Sequence, residues 1–282
     1  MENQSIREPA VAGSFYPGDP VALSKMIADF FSRASKQDLP GEIVGLVSPH
    51  AGYIYSGHVA AEGYKLLEGL SYDTVAVISP SHAVAFDGVS VFPGRGYRTP
   101  LGTIEIDQEL VDEISTGSKV VFADGIGHAS VGFRGEHALE VQLPFLQAAI
   151  DRFKLLPLVM GGQQYSTCIG LADDLYRVLK DRNALIVAST DLSHFHSSGE
   201  AKRLDDKFIE GFENYDLEGL SKKLSTHECE ACGGYPVIAL MLYASKLGKP
   251  RAKALKYADS SVTSGDRSSV VGYLSGVIAV DR

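Results

Sequence analysis

Three histidines stand just past the ends of apolar runs, and that placement singles them out as candidates for chemistry. Ile43, Val44, Leu46 and Val47 stop at Ser48-Pro49 and deliver His50. Thr74-Val-Ala-Val-Ile78 runs into Ser79-Pro-Ser-His82 in the same way. More loosely, Ala184-Leu-Ile-Val-Ala188 runs into Ser189-Thr-Asp-Leu-Ser-His194, which adds Asp191 to the set. Two neutral imidazoles are the commonest core of a catalytic transition-metal site, which needs one more ligand and an open position. The third ligand is Asp191, a Glu or Cys232. Cys232 lies just before a helical pattern over 234–247, and a helix N-terminus biases a thiol toward the thiolate that ligates metals. Cys229 and Cys232 form a CxxC, but a zinc knuckle needs a second pair and only Cys168 remains.

A second constellation is Gly135-Glu-His-Ala-Leu-Glu-Val-Gln142. On a helix beginning at Glu136, His137 and Glu140 share a face opposite the apolar stripe of Leu139, Leu143, Leu146 and Ile150. That places a His/Glu pair where it could face a site, and Pro144 should kink the helix. Tyr53 and Tyr55 come shortly after the first histidine and could hydrogen-bond a bound oxygen. The chain has no phosphate-cradling glycine loop, no HExxH and no GxSxG elbow, so nucleotide and serine-hydrolase readings are poor.

For the strand-end groups to meet, their strands must be neighbours running the same way. Ligands of open α/β sheets sit outside the carboxyl ends of such strands. Strands are predicted over 43–47, 74–78, 88–92, 119–122, 155–160, 184–188, 252–257 and 270–280. Helical patterns cover 21–33, 57–67, 107–114, 166–180, 200–212, 216–224 and 234–247, besides the one from Glu136. Strands that read as continuous apolar runs are covered on both faces. The expectation is therefore an α/β fold: one domain over 1–282, a three-layer sandwich with a central mostly parallel or mixed sheet.

Bulk properties narrow the function classes. A net charge of −9 with scattered Lys and Arg argues against nucleic acid or an anionic membrane surface as partner. Val270 to Val280, the longest mostly apolar run, is far short of the roughly 20 residues that span a bilayer. Three cysteines make no disulfide framework, and the N-terminus lacks the order of a signal peptide, so a reduced, cytoplasmic protein is expected.

The motifs carry a resemblance. Val11-Ala-Gly-Ser-Phe-Tyr-Pro17, Ser48-Pro-His-Ala-Gly-Tyr-Ile-Tyr-Ser-Gly57, Ser79-Pro-Ser-His82 and Thr99-Pro-Leu-Gly102 resemble those of the Memo family. So do Glu136-His-Ala-Leu-Glu140, Gln142-Leu-Pro144, Ser189-Thr-Asp-Leu-Ser-His-Phe195 and Ser264-Gly-Asp266, in order along the chain. Prokaryotic members of that family are labelled AmmeMemoRadiSam system protein B. The resemblance implies a fold like that of class III extradiol (LigB-type) dioxygenases, which hold non-haem iron with two His and one Glu. It implies that His50, His82 and Cys232 hold a divalent transition metal (iron first, with zinc or copper as the other options). His194, with Asp191 beside it, is similar to the dioxygenase acid/base histidine. Cys232 stands where those enzymes have a carboxylate, and a thiolate shifts metal preference toward softer ions. The resemblance implies a metal-dependent, redox enzyme with a small organic substrate. The alternative is a non-catalytic adaptor or chaperone that binds a metal or peptide ligand. The system label implies a radical SAM enzyme and an AMMECR1-type protein as partners.

Overall fold

In the computed structural model, residues 5–35, 37, 39–128, 135–162 and 164–281 are described. The strands, in chain order, are β1 (Ile6–Arg7), β2 (Glu42–Ser48), β3 (Thr74–Pro80), β4 (Val89–Val91), β5 (Gly96–Thr99) and β6 (Gly102–Glu105). They continue with β7 (Val121–Ala123), β8 (Lys154–Met160), β9 (Ala184–Ser189), β10 (Asp191–His196), β11 (Lys249–Asp259) and β12 (Val270–Asp281). The helices are α1 (Pro20–Arg33), α2 (Tyr53–Tyr64), α3 (Gln108–Ser115), α4 (Leu143–Ala149) and α5 (Tyr165–Leu179). After these come α6 (Ser198–Glu213), α7 (Leu217–Ser225), α8 (Gly234–Leu247) and the single turn α9 (Ser261–Ser264).

Nine strands form one mixed sheet in the order β10-β12-β2-β9-β3-β8-β4-β7, with β11 also paired to β12. Its centre, β2-β9-β3-β8, is parallel, and antiparallel pairs flank it on both sides. β3 is buried along its whole length, as its unbroken apolar run requires. Alternate residues of β2 face opposite layers: Gly45 lies under Leu240 of α8, while Leu46 packs toward Gly63 of α2. With α1 and α4 beside α2, and α5 and α7 beside α8, the fold is the expected three-layer α/β sandwich. A methyl group at Gly45 would collide with Leu240, so the sheet meets α8 where the sequence has no side chain. A separate three-stranded sheet, β1-β5-β6, ties the N-terminal segment to the body.

Three departures from the sequence reading matter for the site. The helix expected from Glu136 does not start there; residues 135–139 are non-helical, a 3-10 turn covers Glu140–Gln142, and α4 comes next. Pro144 falls in the first turn of α4, where a missing N–H costs nothing, so it starts the helix instead of kinking it. The segment after β9 forms β10, an irregular strand against β12 with register shifts on both sides of His194. Finally, α2 begins at Tyr53, not Gly57, which carries both tyrosines onto a helix.

His128 shows how the core handles a titratable group. Its Nε2 lies 3.2 Å from the Ser90 carbonyl oxygen, which can only accept, so Nδ1 is left to accept from the Tyr97 hydroxyl. Burial lowers its pKa from 6.5 to about 4. The unfolded chain takes up a proton near pH 6.5 while the folded chain resists. Stability conferred by the neutral ring is therefore present above that pH and lost as pH falls toward 4, on the order of 3 kcal/mol. Urea denaturation of His128→Gln across this window should show a shallower pH slope than the parent protein; equal slopes would refute the assignment.

Candidate metal centre

The site is built by register. β2 and β9 are parallel with Ser48 opposite Ser189, and β9 and β3 are parallel with Ala188 opposite Ile78. The three chain exits therefore lie side by side, and the residues just past each strand meet at one edge of the sheet. His50 comes from the first exit, His82 from the second and Asp191 from the third. Cys232 arrives from the loop before α8. That loop is sewn to the end of β9 by Cys232 N–H to Asp191 O (3.2 Å) and Gly233 N–H to the Thr190 hydroxyl (2.9 Å). A Cβ at Gly233 would collide with the Ser189 carbonyl oxygen, so only glycine allows this approach.

Ligand atoms of His50, His82 and Cys232 all lie within 4.8 Å of one another. His50 Nε2 is 3.2 Å from Cys232 Sγ, and its Nδ1 is 2.8 Å from Ser189 Oγ. The rings of His50 and His82 are 5.1 Å apart, and His137 stacks on His82 at 5.0 Å. These imidazoles, Asp191 and His194 face a cavity of about 480 Å³ whose other walls include Val11, Phe15 and Ala83. A larger groove of about 1560 Å³ lies at the opposite, amino ends of the strands, around Thr74, Asp107, Lys154 and Asn183, and has no imidazole or thiol in its lining.

Burial sets the protonation states. It lowers the His50 pKa well below the usual range, helped by the neighbouring His82, His137 and His194, and it lowers that of His137. Asp191 is pushed up to about 6 by burial, against the stabilising N–H of His50, which reaches Oδ1 at 2.8 Å. The Cys232 thiol is also pushed up, first by burial and then by the Asp191 charge. The expected lowering by the α8 N-terminus is outweighed, so without a metal the sulfur keeps its proton.

The family model described as Memo-like protein matches residues 7–277. The chain belongs to the Memo family. A MEMO1 family protein of Methanosarcina mazei is 38% identical over 276 residues, covering 97% of this chain and 99% of the relative. MEMO1 family proteins of Methanobrevibacter smithii (37% over 287 residues; 96% of this chain and 99% of the relative) and Sulfolobus acidocaldarius (36% over 285; 96% and 98%) are similar to it as well. Among solved structures, an uncharacterized protein of Escherichia coli K12, JW3007, aligns with a TM-score of 0.47 and 13% identity, covering 85% of this chain and all of that one.

In this Memo-family chain the named candidates divide. His50, His82, Asp191, His194 and His137 line one cavity, and Cys232, which is not part of that lining, joins the cluster through His50 Nε2 at 3.2 Å. Glu140 does not share a helix face with His137. Its buried carboxylate accepts from Arg7, from the Tyr16 hydroxyl and from the backbone N–H of Ala10 and Val11, so it anchors the N-terminal segment that forms one cavity wall. Tyr53 is a core residue, 1% exposed, with its hydroxyl donating to the Val141 carbonyl at 2.8 Å. Neither Tyr53 nor Tyr55 lines the cavity. With α2 starting at Tyr53, that ring packs in the core against Phe145, centroids 4.8 Å apart.

Sequence reasoning passed over Glu136, which lies close to His82 and His137. Its carboxylate accepts the backbone N–H groups of His82, Ala83, His137 and Ala138, and Oε1 sits 3.5 Å from His82 Nδ1. Burial alone would raise its pKa, but the bonds from His82 and these N–H groups bring it down to about 2. With its lone pairs so occupied, Glu136 orients two histidine segments and is a poor metal ligand. Its signals in the sequence were its adjacency to His137 and its place in the Glu136-His-Ala-Leu-Glu140 motif.

The donor set fits a first-row transition ion. Two imidazoles and a sulfur converge, each histidine has a partner near Nδ1, and a cavity opens beside the two histidines. Glu136→Ala should destabilise the protein by roughly 2–4 kcal/mol, because one buried and three partly buried N–H groups lose their charged acceptor. Thermal or urea unfolding checks this, and a change below about 0.5 kcal/mol would contradict the clamp.

Proposed function

We propose that this protein is a metal-dependent oxidoreductase acting on a small organic molecule, with the ion held by His50, His82 and Cys232. The observation that carries the reading is the convergence of these three donors at the carboxyl ends of parallel strands, where the two histidines line a cavity. When bound, the ion supplies Lewis acidity and, if iron or copper, a redox couple. A thiolate in place of a carboxylate favours iron, zinc or copper over magnesium or calcium.

The remaining groups have roles set by their positions. His194 and His137 stand at the cavity surface beside the proposed ligands, where an imidazole can take or return a substrate proton. Asp191 faces the same space and, raised to about 6, exchanges a proton near neutral pH. Val11, Phe15 and Ala83 supply an apolar wall that excludes water from one side of a bound molecule. No helix among the described residues is long and apolar enough to cross a membrane.

Purification from the native host with elemental analysis tests the reading. We expect about one first-row transition ion per chain, lost in His50→Ala and in Cys232→Ala while both variants retain their circular dichroism. Metal content that is negligible in the parent, or unaltered in both variants, would overturn it. His194→Ala should keep the metal but lose turnover by roughly 100-fold or more once a substrate is identified.

A further inference from the structure

We infer that Ser189 and Gln142 are positioning residues that fix the tautomer of His50, leaving its Nε2 without a proton and aimed at Cys232. The hydrogen-bond chain behind His50 admits one polarity. Gln142 Nε2 lies 3.0 Å from the Pro49 carbonyl oxygen and 3.4 Å from that of Ser48. Both can only accept, so this atom is the amide nitrogen and the other end, Oε1, takes the proton of the Tyr64 hydroxyl at 2.7 Å. The second N–H of Gln142 reaches Ser189 Oγ at 2.7 Å.

Ser189 has a single hydroxyl proton, and the Ala138 carbonyl oxygen at 2.7 Å takes it. Toward its other neighbours Ser189 Oγ offers only lone pairs. One receives Gln142, and the other faces His50 Nδ1 at 2.8 Å. Nδ1 must therefore carry the proton. A neutral imidazole has one N–H, so Nε2, 3.2 Å from Cys232 Sγ, presents a bare lone pair. In water, free neutral histidine prefers the opposite tautomer.

Burial makes the chain rigid. Tyr64, Gln142 and Ser189 are all fully buried and His50 is 2% exposed, so no water competes for these bonds and a wrong tautomer would leave two lone pairs facing one another. Ser189 ends β9 and Gln142 ends the 3-10 turn, so the strand register and the start of α4 together determine which nitrogen of His50 can bind a metal. The inference rests on the proposed metal site only for that last step.

Long-range proton–nitrogen NMR of metal-free protein labelled with ¹⁵N-histidine tests it. The parent should show His50 as the Nδ1–H tautomer, and Ser189→Ala should show a mixture or the Nε2–H form. Zinc titration against a competing chelator should give a roughly 10–100-fold weaker Kd for Ser189→Ala, partly restored in Ser189→Thr. An Nε2–H tautomer in the parent would overturn the inference, as would a Ser189→Ala protein with unchanged tautomer and zinc affinity. The parent spectrum alone decides the tautomer if the variant does not fold. A parent with the Nδ1–H tautomer that fails to bind zinc, iron or copper supports the positioning role and overturns the metal site.

Discussion

Because β2, β9 and β3 run parallel and in register, three chain segments leave the sheet at one edge within reach of one another. Everything else in the site depends on that alignment. Side chains alternate along a strand, so a slip of one residue between β2 and β9 would turn Ser189 to the other face and strand the His50 ring. The register is held by fully buried apolar side chains on both faces, among them Leu46, Val47, Ile78, Ile186 and Val187. The precision of the polar cluster is thus inherited from the packing of the apolar core.

A cluster of imidazoles, carboxylates and a thiol at a buried edge is expensive unless each group has partners. Two glutamates share that task by different routes. Glu140 collects Arg7, Tyr16 and two backbone N–H groups and so attaches the N-terminal segment as a cavity wall. Glu136 collects four N–H groups from the segments carrying His82 and His137. Glu140 belongs to no donor cluster among the described residues, and Glu136, although close to His82 and His137, has its lone pairs taken by those N–H groups. Their work is to hold the backbone that presents the donors.

The balance of charge states comes from the same burial. His50 is kept neutral, Cys232 is kept protonated and Asp191 titrates near 6, all because water is scarce around them. A cation entering the site would relieve the cost of a thiolate there, since it supplies the positive charge that the helix terminus alone does not. That is why a sulfur in a buried setting is consistent with metal binding and inconsistent with an independently reactive thiol.

The ends of β2 and β3 and the histidines beyond them were legible in the sequence, because an apolar run that meets Ser-Pro is close to its end: β2 stops at Ser48 and β3 at Pro80. The α/β class was legible for the same reason: buried strands carry continuous apolar runs. What sequence periodicity could not decide is where a helix begins when its first turn is flanked by residues that also suit a loop. The apolar spacing after Glu136 matched a helix, yet only tertiary packing showed that the chain stays non-helical there so that Glu136 and Glu140 can collect backbone N–H groups from distant segments. The same ambiguity placed Tyr53 beside a ligand when its ring belongs to the core. Residue types and strand ends determine which groups are available near an edge. Which of them face the cavity, which face inward as anchors and which nitrogen of His50 is bare depend on hydrogen-bond partners such as Ser189, 139 residues from His50, and no local pattern encodes those.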